Sequence, residues 1–162
     1  MSTFMPDRPA QGLPATLVAL HGRVAEVLGT WGGPVIDLVV RLWMAQVFFI
    51  SGLQKIGDWP ATLFLFEHEY RVPILPHGLA AVLGTGFELA MPVLLVLGLF
   101  TRLAALPLLV MALVIQFVLG AASPDYDDAE HFFWMILLAL IIVKGPGPIS
   151  LDHWLGKRFG AG

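Results

Sequence analysis

The chain has 162 residues, of which 57% are hydrophobic and only 13% charged, and its mean hydropathy is +0.81. That charged share is about half of what a soluble domain carries, so the composition excludes a water-soluble globular fold and points to a lipid bilayer as the partner. A net charge of -3 offers no basic surface for nucleic acid, and the absence of cysteine excludes thiolate metal sites, iron–sulfur clusters and thiol–disulfide relays.

In chain order, residues 13–31 place Leu13, Leu17, Leu20, Val24, Leu28 and Trp31 at intervals of three or four, which predicts an amphipathic helix lying on a membrane surface. A signal peptide is excluded, because no basic start precedes an unbroken apolar run. A first membrane span is predicted over 35–53, interrupted only by Asp37, Arg41 and Gln46. The loop 54–78 carries Trp59, an apolar LFLF and then EHEYRVPILPHG, which reads as a short interfacial helix and a rigid return. A second span over 79–100 contains Glu88 and Pro92, and only Thr101 and Arg102 separate it from a third over 103–119. These two spans form a tight antiparallel hairpin. The last span, 132–143, is short, with Trp134 and Lys144 as interfacial anchors, and a Gly-Pro break then leads to a short tail helix with Ser150 as its cap.

The expected fold is therefore all-α, a four-helix transmembrane bundle (35–154) preceded by the surface-helix segment 1–34 and followed by a tail, 155–162. Four spans put both termini and the hairpin tip on one side. Arg8, Arg23, Arg41, Arg102, Lys144, Lys157 and Arg158 fall there and only Lys55 and Arg71 on the other, so the positive-inside rule predicts cytoplasmic termini.

Glu88 needs an account, because an ionised side chain at mid-bilayer costs about 2.5–3.5 kcal/mol and must face the bundle, protonated or paired. Counted from the hairpin-side ends of the spans at about 1.5 Å per residue, Glu88 lies at about 18 Å, Gln46 at about 17 Å and Gln116 at about 20 Å. Arg41 lies about 9 Å up, able to climb toward Glu88 or to reach down to the headgroups. Two readings stay open: a hydrogen-bonded layer that fixes helix register, or a cavity that receives a quinone head or a proton, with the two amides as donors and Glu88 as proton partner. At the hairpin tip, Arg102 is expected to clamp the tail through Asp152.

On the far side, His68 between Glu67 and Glu69, and His131 after Asp125, Asp127, Asp128 and Glu130, are weighed as metal ligands against a solvated acidic face. An E-H-E triplet sends neighbours to different faces, so no metal is assigned. No two histidines lie within the spans to hold a haem. Nothing in the chain has the pattern of a nucleophile–base pair, a phosphate loop or a dinucleotide site, so autonomous catalysis is not expected.

The first-span sequence RLWMAQVFFISGLQK, the mid-span Glu88, the junction LGLFTRLAAL and the ending GPGPISLD together resemble the DoxX family over roughly 35–154. The FEHEYRVPILP segment is similar to a branch of that family associated with bacterial metal-stress and peptide-metallophore gene sets. The resemblance implies a small four-helix protein of the bacterial inner membrane, in a family named for a subunit of a thiosulfate:quinone oxidoreductase. It also implies a quinone as cofactor and a redox or metal-handling protein as partner. Carried over residue by residue it marks Arg41, Gly52, Lys55, Glu88, Gly98, Thr101, Arg102, Gly147, Ser150 and Asp152. Lys55, Arg102 and Asp152 are given structural or partner-docking roles. Transport or assembly of a metal or small peptide, and a purely structural anchor, are the competing functions.

Overall fold

The computed structural model describes residues 15–70, 72 and 74–160; Leu13 of the predicted surface helix, and Arg8 and Arg71 of the charge tally, lie outside them. The chain divides into two compact units, Met1–Gly33 and Pro34–Gly162. In the first, α1 (Ala15–Val27) ends in a π turn, Leu28–Gly32, which leads directly into α2. The π turn lies just before Pro34, whose ring cannot donate to the preceding turn.

The second unit takes in α2 (Gly33–Gly57) from Pro34 onward. Asp58 caps the short α3 (Trp59–Leu65) by accepting from the Ala61 N–H at 3.0 Å, and a π turn over Phe66–Tyr70 follows. Next comes the hairpin of α4 (His77–Leu97) and α5 (Thr101–Val114). From α5 the helix continues through a π turn, Ile115–Leu119, into α6 (Gly120–Ala122). The chain closes with α7 (Ala129–Lys144) and the tail helix α8 (Leu151–Phe159), which Ser150 caps by accepting from the His153 N–H at 3.2 Å.

Every described element is helical, and three stretches are long and apolar enough to cross a membrane: Leu17–Gly57, His77–Leu97 and Thr101–Ala122. The predicted fourth span corresponds to α7, whose 16 residues fall short of that length. One core nevertheless draws on four helices: Met44, Ala45 and Phe48 of α2, Leu95 of α4, Ala104, Ala105, Leu108 and Ala112 of α5, and Leu138 and Ile141 of α7. The interior is rich in alanine while Leu, Val and Phe residues such as Leu42, Val93, Val110 and Phe133 point outward. That is the inverse of a soluble protein and fits a lipid-facing surface, where small residues let helices approach and large apolar ones meet acyl chains.

The hairpin tip is held by the tail. Gly98 sits in the left-handed region (φ 65°) and closes α4, with the Leu99 N–H donating to Leu94 O at 3.0 Å. The first N–H groups of α5 have no partner in their own helix, and Asp152 supplies one: its carboxylate accepts from the Phe100 N–H at 2.8 Å, the Thr101 N–H at 2.9 Å and the Thr101 hydroxyl at 3.0 Å. The expected Arg102–Asp152 pair is therefore replaced by a helix cap. Arg102 lies instead against Gly145 at the carbonyl end of α7, its Nη2 3.5 Å from Val143 O, where a cation complements the helix dipole. Lys144 pairs with Asp37 across the same end.

Candidate functional site

Gly52 brings α2 against α4. A Cβ there would lie 2.9 Å from Leu89 Cγ and 3.0 Å from Glu88 Cβ, so only a residue without one permits this approach. One turn on, Lys55 Nζ reaches both oxygens of Glu88, at 2.7 and 2.6 Å, and also donates to the Ser51 hydroxyl at 2.8 Å. Both residues are withdrawn from solvent, with 15% of the Lys55 side chain exposed and 4% of that of Glu88. Two of the lysine's three N–H groups go to one carboxylate.

This placement corrects the depth count. Arg41, not residue 35, stands level with the end of α4: it is buried and donates through Nη1 to Leu95 O at 3.3 Å and through Nη2 to Ile149 O. The start of α2 thus runs past the hairpin tip, and every α2 residue is shifted toward the tip by roughly 9 Å relative to the count. Gln46 consequently stands beside Pro92 and Val93 on an exposed face, apart from Glu88, and Lys55 takes the place expected of it. Arg41 does not climb to Glu88 but ties the segment before α8 to α4. The lysine partner was missed because Lys55 reads as a helix-end charge; its i+4 spacing from Ser51 and the absence of any other cation near that depth were the available signals.

Gln116 is buried, as expected, but its partners lie toward the loops: Nε2 donates to Asp127 Oδ1 at 2.6 Å, and Oε1 lies 3.0 Å from His131 Nδ1. A carboxylate only accepts, so it fixes the amide's NH2 toward itself and turns Oε1 to the imidazole. His131 thereby donates through its Nδ1 hydrogen, which fixes the orientation of the ring. The π turn over Ile115–Leu119 carries both Gln116 and Leu119 into the interior.

Lys55, Glu88, Ser51 and His131 share a cavity of about 520 Å³. Its walls are apolar, from Leu83 and Phe87 of α4, Val110 and Met111 of α5, and Phe66 and Leu75 of the α2–α4 connection, with Trp134 beside His131. Phe66 packs on Gly84, where a Cβ would come within 3.2 Å of its ring, so the connection lies along the first half of α4. Tyr70 also lines the cavity; burial above all, then the charges of Glu88 and Glu69, raises its phenol pKa above the ordinary value, which keeps it a protonated group. Among the described residues no three His, Asp or Glu side chains converge as a metal site. His68 is stacked on Phe64 with Nδ1 3.1 Å from the Phe64 carbonyl. The site is thus an apolar chamber with one ion pair in its wall and an oriented imidazole, suited to an amphipathic ligand with a small polar head.

The family model described as DoxX matches residues 36–121, which include most of α2, the connection and the α4–α5 hairpin with both halves of the ion pair. Three curated relatives are similar over most of their length. An uncharacterized protein of Haemophilus influenzae is 30% identical over 137 residues, covering 79% of this chain and 88% of its own. An uncharacterized membrane protein of Mycobacterium tuberculosis is 33% identical over 140 residues (78% and 85%), and the inner membrane protein YphA of Escherichia coli is 30% identical over 136 residues (74% and 90%). No solved structure matches.

Proposed function

The chain belongs to the DoxX family, and on that premise we propose that it is a four-span inner-membrane subunit of a quinone-linked redox system whose cavity receives the quinone head. The observation that carries this reading is the Lys55–Glu88 pair in the wall of an otherwise apolar chamber. A cavity of about 520 Å³ lies within the range of small-molecule sites. The residues fit such a head. Because two Lys55 N–H groups serve one carboxylate, one can turn to a ligand carbonyl while the ion pair persists. Glu88 and the Nε2 of His131 are the groups that hold or exchange protons there. A quinone, when bound, carries two electrons and two protons; the cysteine-free chain leaves the electron source to a partner protein, for which the stress-linked branch resembled by FEHEYRVPILP offers a setting. The fourth span in this reading is α7 with its flanking residues, and α1 lies on the inner surface.

The test is a titration of purified protein with a short-chain ubiquinone analogue in nanodiscs. Saturable binding to the wild type, weakened at least about tenfold in Lys55→Met, is expected from the loss of one charge-assisted hydrogen bond of about 1.5–3 kcal/mol. Absence of saturable binding in both detergent and nanodiscs would remove the reading. For the orientation, single cysteines at Ala61 and Ser123 should react with an impermeant reagent in intact cells and one at Gly160 should not; the reverse pattern would invert the topology.

A further inference from the structure

Gln46 has no hydrogen-bond partner among the described residues and is exposed, yet it lies nine residues beyond Asp37 on α2, about 13 Å along the helix from the polar layer at the hairpin end. In water such a side chain would need no explanation. In hydrocarbon it does, because an amide has two N–H donors and a carbonyl acceptor that lipid chains cannot satisfy, and its short stem cannot reach the headgroups from that depth. The residue stands in a groove of about 280 Å³ between α2 and α4, which Leu42, Phe49, Val93 and Val96 otherwise line with apolar groups. Leu42, Gln46 and Phe49 are spaced i−4, i, i+3, so they form one ridge along the exposed face of α2 beside that groove.

We propose that two copies of this chain pair in the membrane across the α2–α4 groove, with Gln46 of each hydrogen-bonded to Gln46 of the other. A two-fold axis beside Gln46 brings one amide against its own copy, and an amide is self-complementary: the N–H of each meets the carbonyl of the other. The same operation sets the ridge of one copy into the groove of its partner. No acyl chain offers that match, and no other polar side chain lines the groove to hold Gln46 within its own chain. The pairing face is distinct from the Lys55–Glu88 cavity and does not depend on what that cavity binds.

The chain's lack of cysteine makes the test direct. Single cysteines at Leu42 and Phe49 should form disulfide-linked dimers on mild oxidation in membranes, while one at Ile136, exposed on α7, should not. In liposomes, single-molecule counting should show dimers for the wild type and for Gln46→Asn, and a dissociation constant raised about threefold to thirtyfold for Gln46→Leu, the range of a membrane interhelical hydrogen bond. Equal thermal stability of the monomers of Gln46→Leu and wild type is expected and separates pairing from folding. Cross-linking at Leu42 and Phe49 no greater than at Ile136, capture of a different protein at those positions, or undiminished dimerisation of Gln46→Leu would each overturn the proposal; a wild type that stays monomeric at high protein-to-lipid ratio would assign the groove to lipid and overturn it as well.

Discussion

Gly98→Ala should destabilise the protein by about 2–5 kcal/mol, from about 1–2 kcal/mol for a side chain in the left-handed region and about 1–3 kcal/mol for overpacking. The new methyl would lie 2.2 Å from Arg41 Nη1, 2.5 Å from Ser150 Cβ and 2.9 Å from Ser150 Cα. The arginine cannot simply move aside, since it is buried and holds Leu95 O and Ile149 O, and the serine belongs to the cap of α8. The Gly98 carbonyl also accepts from the Asp152 N–H at 2.9 Å, so displacing the turn releases the cap that Asp152 places on α5. Gly86→Ala is the control: that glycine is helical and its Cβ would meet nothing within 4 Å, so the change should be neutral or slightly stabilising. Thermal melting of both variants in detergent checks this, and a Gly98→Ala curve that overlays the wild type would contradict the packing described at the hairpin tip.

Glu88→Leu is expected to cost about 3–5 kcal/mol, because it leaves the Lys55 ammonium without its carboxylate in a largely buried site. Lys55→Met alone should also be destabilising, for the complementary reason. The double variant should recover much of the loss, since replacing both members of a buried pair by apolar residues is often neutral, whereas removing one is not. Glu88→Gln should be milder than Glu88→Leu, as the amide oxygen still accepts from Lys55. Unfolding by sodium dodecyl sulfate in mixed micelles gives the four free energies of the cycle. Additive effects of Lys55→Met and Glu88→Leu would show that the two side chains do not interact.

The membrane class, the helices and the α4–α5 hairpin were legible in the sequence because apolar runs are local signals, and so was the Ser150 cap; the break itself is residues 98–100, while Thr101 and Arg102 open α5. What misled the depth count was the level of α2 against α4. Helix register between spans is fixed by a few close approaches, here Gly52 on Glu88 and Leu89 and Arg41 on Leu95, and such contacts leave no periodic trace. The apolar residues around Gln46 look alike whether they meet another helix or lipid, so periodicity could not say that Gln46 faces out and Gln116 in. Asp152 was read as an ion-pair partner because Arg102 lies on the same side; the turn that aims its carboxylate at the backbone of α5 is set by residues 145–150, whose two glycines at positive φ have no single-sequence signature beyond GPGP. The cavity itself is legible only in three dimensions, since Lys55, Glu88 and His131 come from three separate helices.

Site-resolved photolabelling tests most directly whether an amphipathic quinone-like head enters the cavity beside Lys55 and Glu88. Protein in nanodiscs would be irradiated with a photoreactive quinone analogue and the modified residues mapped by mass spectrometry. Saturable labelling of cavity residues such as Phe87, Val110 and Met111, competed away by unlabelled quinone, is the predicted result. Labelling spread without saturation over outward residues such as Ile136 and Val143, with the cavity unmarked, would contradict it.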